Sequence, residues 1–283
     1  MSRTIAKALY NLDKTLVSFL SPRQRNRIFS RINEYIERDS IKTVVTDRGE
    51  LRFNHLASAY VASGIERFHD DEPETLQWID NFKNGDVYWD IGANIGLYTL
   101  YAALGTGIEV YAFEPSALNY KLLIEHLKLN RLDQAVVALP VAFSDTTAVD
   151  SIFTHHGVPG SGSSLFTPQS QFGEYKAAFT QGIVSYEMDR FRMDFNLSQP
   201  DHVKIDVDGI EPRIIRGGIK TLSGVKSLLI EVEGNNIEIF DKEIVEQLAG
   251  IGFMENEDVR KTGSGRNRLY VNRKSGAGPR RPS

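Results

Sequence analysis

Residues 3–20 carry Ile5, Leu9, Leu12, Leu16 and Phe19 at alternating spacings of four and three, with Lys7, Asn11, Lys14 and Ser18 on the other faces. That spacing predicts an amphipathic helix whose apolar stripe needs a cover: the body of the chain, a second copy in a homodimer, or a membrane surface. Ser21-Pro22 then opens a second, basic helix to about Arg38, with Ile28, Phe29, Ile32 and Ile36 along one side. The β-like runs 41–45 and 51–53 flank Thr46-Asp47-Arg48-Gly49-Glu50 and predict a hairpin. A helical stretch over 57–68 and another after Pro73 lead into strand 87–90, a helix from Ile95, strand 109–113, a helix capped by Ser116 with Leu118, Leu122, Leu123, Leu127 and Leu129 inward, and a strand over 135–143. This is β-α-β-α-β, the first half of a doubly wound sheet.

Residues 146–200 break the alternation. The segment His155-His156-Gly157-Val158-Pro159-Gly160-Ser161-Gly162-Ser163-Ser164 is too rich in glycine and serine for a regular element, and predicts a substrate-side loop. An extra strand over 182–186 and a short helix over 187–195 follow. Order returns with strand 202–209, a helix opened by Glu211-Pro212, strand 225–232, helix 235–248 and a closing pair at 253–256 and 269–272. The expected fold class is α/β, a doubly wound sheet of about seven strands. Its expected divisions are a helical and hairpin extension over 1–63, the main domain over 64–274 with the inserted region 146–200, and a disordered Gly/Pro/Arg tail over 275–283.

Candidate chemistry begins at the turn between the first core strand and its helix, Gly92-Ala93-Asn94-Ile95-Gly96, preceded by Asp90. Glycines there tolerate positive φ and let a ligand approach the backbone. A dinucleotide turn needs G-x-G-x-x-G, whereas this one is Asp90-x-Gly92-x-Asn94-x-Gly96, and its leading carboxylate repels a pyrophosphate and attracts an ammonium group. Glu114 ends the second strand, where a carboxylate accepts both hydroxyls of a ribose, and Ser144 and Asp145 end the third, where they would hydrogen-bond an adenine edge. A cation beside a ribose points to S-adenosylmethionine. An NAD-dependent oxidoreductase is the rival among enzymes, and a non-catalytic binding protein on the same fold is the rival outside them.

In strand 202–209 the period of two places Lys204, Asp206 and Asp208 on one face, and a strand covered on both sides has no idle place for charge. Asp206 approaches the carboxyl end, where open α/β sheets bind ligands; it is either a functional group or the partner of Lys204 in a buried ion pair. The chain has no cysteine, which excludes disulfides and thiolate sites, and its formal net charge is −4. Ten Lys/Arg against five Asp/Glu in residues 1–48, and eight against none in residues 260–283, flank an acidic body. Solvated basic ends are the expectation; the alternative is contact with an anionic surface through residues 3–20. With no apolar run near the ~20 residues that span a bilayer, a cytoplasmic protein is expected, on the inner face of a membrane in the alternative, with no nucleic-acid partner.

Asp90-Ile91-Gly92-Ala93-Asn94-Ile95-Gly96, Phe113-Glu114-Pro115 and Val203-Lys204-Ile205-Asp206-Val207-Asp208-Gly209 with Glu211, Gly217-Gly218 and Leu229-Ile230-Glu231-Val232 together resemble the FkbM family of S-adenosylmethionine-dependent methyltransferases. The likeness covers residues from about 64 to 271. It departs at Asp208, where the family usually has Glu. The resemblance implies a class I methyltransferase fold with the last strand antiparallel, cofactor contacts from Asp90, Gly92, Asn94, Gly96, Glu114, Pro115, Ser144 and Asp145, and methylation of a hydroxyl on a sugar, a lipid-linked glycan or another small natural product. Removing the hydroxyl proton calls for a base, expected at Asp206 or else at His155 or His156; Lys204, Asp208, Glu211 and the two histidines are the expected acceptor contacts. A divalent metal on Asp206 with Asp208 or Glu231 is an open alternative that no histidine-carboxylate spacing demands.

Overall fold

The computed structural model describes residues 17–105, 107–154, 157–161, 164–165, 169–170, 173–174, 177–232 and 237–273, with residues 7, 10, 11 and 15 before them. Most of the helix expected over 3–20, both His155 and His156, and the tail from 275 lie outside the described residues. The chain divides into two compact units, Met1–Lys42 and Thr43–Ser283. In the first, α1 (Pro22–Asp39) opens with a capping box: Ser21 Oγ accepts from Gln24 N, and the Gln24 side chain accepts from Ser21 N.

The elements that follow are β1 (Ile41–Thr46), β2 (Gly49–Asn54), α2 (Ala59–Glu66), α3 (Pro73–Asp80), β3 (Val87–Ile91), α4 (Leu97–Ala103), β4 (Glu109–Phe113), α5 (Ala117–Asn130), β5 (Val136–Leu139), β6 (Ala142–Ser144) and β7 (Ala148–Thr154). Three two-residue strands, β8 (Ser164–Leu165), β9 (Gln169–Ser170) and β10 (Gly173–Glu174), precede β11 (Phe179–Glu187) and α6 (Met188–Asp194). The remainder is β12 (His202–Ile205), α7 (Glu211–Gly217), α8 (Ile219–Ser223), β13 (Ser227–Glu231), α9 (Ile237–Ile251), β14 (Phe253–Glu255), α10 (Glu257–Thr262) and β15 (Asn267–Asn272).

Seven strands form one sheet in the order β14-β15-β13-β12-β3-β4-β5, and only β15 runs antiparallel to its neighbours. This is the doubly wound plan that the alternating pattern predicts, with the order reversing between β3 and β12. One apolar layer carries Tyr88, Leu100, Leu122, Leu123 and Leu127; the other carries Trp89, Phe113, Phe143, Ile214, Ile215 and Leu248, so both faces of the central strands are dry. Trp89 stacks on Phe143 at 6.1 Å, and Phe113 meets Phe143 edge-on at 4.8 Å. At the amino ends of the strands, His202 stacks on Phe82 at 3.9 Å, accepts from Ser227 Oγ on Nδ1 at 2.7 Å and donates from Nε2 to Asp86 at 3.0 Å. That network ties the starts of β3, β12 and β13 together.

The third strand is shorter than its apolar run predicts. Pro140 has no N–H to give to a ladder, so β5 stops at Leu139 and β6 leaves the main sheet to pair in parallel with β11. The region 146–200 is likewise more regular than its composition suggests: β6, β11, β7 and β8 form a second, four-stranded sheet, with β7 opposite β11 from Ala148 to Thr154. Among the described residues no helix is long and apolar enough to cross a membrane.

Candidate active site

Register aligns the carboxyl ends of the main strands at one level. Leu139 lies opposite Phe113, Phe113 opposite Ile91, Ile91 opposite Ile205 and Ile205 opposite Ile230. The next residue of each strand therefore forms a row along the sheet edge: Pro140, Glu114, Gly92, Asp206 and Glu231. Below it a cavity of about 460 Å³ is lined by Gly92, Asn94, Glu114, Pro115, Val141, Ala142, Phe143 and Ile152 toward one end and by Arg67, Asp71, Glu72, Asp206, Asp208, Glu231 and Arg266 toward the other. A smaller lobe of about 220 Å³ shares Gly92, Asn94, Glu72 and Asp206 with it and adds Asp90, Tyr98 and Lys204.

The turn is held from three sides. Gly92 N and Ala93 N donate to Phe113 O at 2.9 and 3.1 Å, Asp206 N donates to Ile91 O at 3.0 Å, and His126 bridges Ile95 O and Asn54 N at 2.8 and 3.1 Å. Gly92 and Asn94 both have positive φ, 84° and 51°. A Cβ on Gly92 would lie 1.8 Å from Asp206 O, so glycine is required by the close passage of the end of β12 as well as by φ. Gly96 has a different part: a Cβ there would strike Leu123 and Leu100, and the residue serves helix packing rather than lining the cavity.

Glu114 is buried and accepts one backbone N–H on each oxygen, from Asn94 and Ser116, both at 2.8 Å. The Asn119 side chain adds a third hydrogen bond, so of the roughly four lone-pair sites of a carboxylate one stays open to a ribose hydroxyl. Burial pushes its carboxyl up to about 7 despite those donors. Asn94 Oδ1 is buried with no partner beside it, an acceptor that a bound ligand would satisfy. Val141, Ala142 and Phe143, displaced from the sheet by Pro140, form an apolar seat next to Glu114 that the sequence analysis did not single out.

Lys204 sits beneath the charged end, 2% exposed. Its Nζ bonds Asp206, lies 3.9 Å from Glu72 and stands 5.1 Å above the Tyr98 ring, while the register places Asp90 directly across from it. Burial disfavours its charge, but Asp206, Glu72 and Asp90 outweigh that and hold the ammonium well above the usual range. Burial raises the Asp90 carboxyl, against Lys204 and a hydrogen bond from Thr99. Asp206 is thus both partner of Lys204 and wall of the cavity, with its side chain 25% exposed. The ion pair left open for it is present, and its carboxylate reaches the cavity as well.

Several expected contacts lie elsewhere. Asp145 does not line the cavity: Arg213 and Arg216 hold it at 2.9 and 3.1 Å, keeping its carboxyl below the usual range against a smaller effect of burial than of those cations combined. Ser144 is buried beside it and also absent from the wall. Glu211 turns its carboxylate back to Gly209 N at 3.0 Å and fastens the loop after β12 instead of facing a ligand. Asp208 does line the cavity, but with φ of 58° it has left the strand, whose regular part ends at Ile205, so its face is set by the turn and not by the period of two. Gly160 brings the inserted region to the wall, tied to Asn119 at 2.9 Å.

The model of the methyltransferase FkbM domain matches residues 90–261. The chain belongs to the FkbM methyltransferase family. It is similar to the hexuronic acid methyltransferase AglP of Haloferax volcanii, 23% identical over 54% of this chain and 59% of that protein. It is also similar to methyltransferase sdnD of Sordaria araneosa, 27% identical over 61% of this chain and 77% of that one, and to the 31-O-demethyl-FK506 methyltransferase FkbM of Streptomyces tacrolimicus, 41% identical over 19% and 23%. The chain thus spans less than two thirds of AglP. The FkbM-type match begins at Asp90, so the motifs of the turn, of Glu114 and of the Lys204-to-Glu211 loop all fall inside it.

Two outcomes follow from this geometry. Gly92→Ala should abolish tight ligand binding in the cavity and lower the thermal midpoint; a variant that binds and melts like the parent would show that the turn is not constrained by β12. Lys204→Met leaves buried carboxylates uncompensated and should cost about 3–5 kcal/mol in urea unfolding at pH 8. That loss should shrink toward pH 5, because carboxylates whose folded-state affinity for protons has risen are neutralised as pH falls.

Proposed function

We propose that this chain is an S-adenosylmethionine-dependent O-methyltransferase acting on a hydroxyl of a sugar, a glycan or another polyhydroxylated natural product. The observation that carries the reading is the row at the sheet edge, which joins a ribose-type acceptor, Glu114, to a cluster of carboxylates around Asp206 within one cavity. The residues fit the donor chemically. Glu114 has acceptor capacity left for a ribose hydroxyl, Val141 to Phe143 offer an apolar seat for a purine, Asn94 Oδ1 lacks a partner, and Asp90, Asp206 and Glu72 favour a cation. The same acids disfavour the pyrophosphate of a dinucleotide.

The bound donor would supply an activated methyl group. What remains for the protein is to align an acceptor hydroxyl and take its proton. Asp206 is the group proposed for that task, since it is ionised by Lys204 and faces the cavity. Asp71, Glu72, Asp208 and Glu231 accept from hydroxyls, and Arg67 and Arg266 donate to them, which suits a polyol better than an apolar acceptor. Support for the acceptor class comes also from relatives whose names specify a hexuronic acid and an O-demethyl natural product.

Calorimetry should detect binding of S-adenosylmethionine and S-adenosylhomocysteine and none of NAD, with Glu114→Ala weakening both by roughly 1.5–3 kcal/mol, the scale of hydrogen bonds to a charged group. Unchanged affinity in that variant would remove Glu114 from the ribose site. With labelled donor and a panel of sugars and uronic acids, Asp206→Asn should lower turnover by roughly 10²–10⁴-fold while affinity for S-adenosylhomocysteine, which has no sulfonium, stays close to the parent value. Loss of S-adenosylhomocysteine binding in Asp206→Asn would assign the residue to the cofactor shell, and loss of folding would assign it to the Lys204 pair alone.

A further inference from the structure

Asp206 and Glu231 emerge side by side, because β12 and β13 are parallel with Ile205 opposite Ile230. Carboxylate oxygens of Asp206, Glu231 and Glu72 all lie within 4.8 Å of one another. Among the described residues the cations facing them are Lys204, on Asp206 and 3.9 Å from Glu72, and Arg266, whose Nε is 3.2 Å from Glu231 and whose Nη2 is 3.8 Å from both Glu72 and Asp71. Asp90 adds a carboxylate on the far side of Lys204, Asp208 lines the same wall, and Arg67 is engaged by Asp71 at 2.9 Å. Among the described residues acids therefore outnumber the cations that reach them, and close carboxylates in a poorly hydrated site do not all ionise. Burial and then the charge of Asp206 drive the Glu231 carboxyl far upward. Burial pushes Asp206 the same way, but Lys204, a hydrogen bond from Glu231 and Arg266 prevail and keep it ionised.

We propose that Asp206 and Glu231 hold a single proton between them, that this proton leaves when a cationic methyl donor enters the cavity, and that the acceptor's hydroxyl proton restores it. The inference rests on the S-adenosylmethionine reading above and makes Glu231 a positioning residue acting through Asp206. On loading, the pair passes one H⁺ to solvent and its charge goes from −1 to −2, matched by the positive sulfonium. In the transfer, the acceptor O–H breaks and its proton goes to the pair. The methyl–sulfur bond breaks with its electrons left on sulfur, and the oxygen's pair forms the new C–O bond. A methyl ether, a neutral thioether and the singly protonated pair result, so charge and atoms balance over the cycle. The site thereby holds a sulfonium against two negative charges and its thioether product against one, which favours release of product.

Titration calorimetry at pH 8 in phosphate and in Tris, whose ionisation enthalpies differ, counts the protons released by each ligand. S-adenosylmethionine and S-adenosylhomocysteine share the ribose and the ammonium group, so Glu114 and Asp90 respond to both alike and the difference reports the sulfonium. The wild type should release about one proton more with S-adenosylmethionine than with S-adenosylhomocysteine. Glu231→Gln should erase the difference while still binding S-adenosylhomocysteine, which shows that the variant is folded. Equal proton counts in the wild type, or a difference that survives in Glu231→Gln, would overturn the inference alone. Absence of heat with both ligands in the wild type would bring down the donor assignment and the inference with it. If Glu231→Gln does not fold, the wild-type difference decides.

Discussion

A buried ammonium group governs the architecture of the cleft. Lys204 stands in a central strand with dry layers on both faces, and an isolated charge there would cost several kcal/mol. Its compensation comes from three separate segments: Asp90 on the neighbouring strand, Asp206 two residues further along, and Glu72 at the start of α3. Satisfying one cation thus fixes where the strand ends and where the segment before α3 crosses the sheet edge. It also concentrates negative charge at the mouth, more than the lysine alone offsets. The crowding of carboxylates in the cleft follows from the way its floor is neutralised.

Around that centre the two ends of the sheet are built differently. At the amino ends, His202, Ser227, Asp86 and Lys226 satisfy one another, so the strand starts are locked with their polar groups paired. At the carboxyl ends, among the described residues, polar groups are left with capacity: a remaining acceptor site on Glu114, an unpartnered Asn94 Oδ1, and carboxylates crowded beyond their cations. Gly92 lets the end of β12 pass within contact of the turn, which brings Glu114 and Asp206 to the same level of the sheet. A lower end with its polar groups paired and an upper end with acceptor capacity to spare suit a ligand-binding cleft.

The elements legible in the sequence are those whose signals are local. A period of two or of 3.6, a proline or serine at a helix start and glycines with positive φ act within a few residues, and they predict β3, β4, α5, β12 and the turn at Gly92. Asp90, Glu114 and Asp206 were legible for the same reason, as charges at the ends of apolar strands that have no idle place there. Glu231 carries the same signal at the end of β13, though the sequence placed it only within the family motif and as an alternative metal partner. Where Pro140 removes one backbone donor, the apolar run 135–143 continued past the true end of the strand, and the seat formed by Val141 to Phe143 was missed with it. The region 146–200 looked irregular because pairing between β7 and β11 joins residues far apart in the chain, which no local period records. Tertiary structure alone decided which charges meet. Arg67, Asp71, Glu72 and Arg266 reach the site from segments remote from the motifs, while Asp145 and Glu211, adjacent to them in sequence, are bound by Arg213, Arg216 and Gly209. Residue type and spacing set how strongly a side chain needs a partner; strand register and helix crossing set which partner stands within reach.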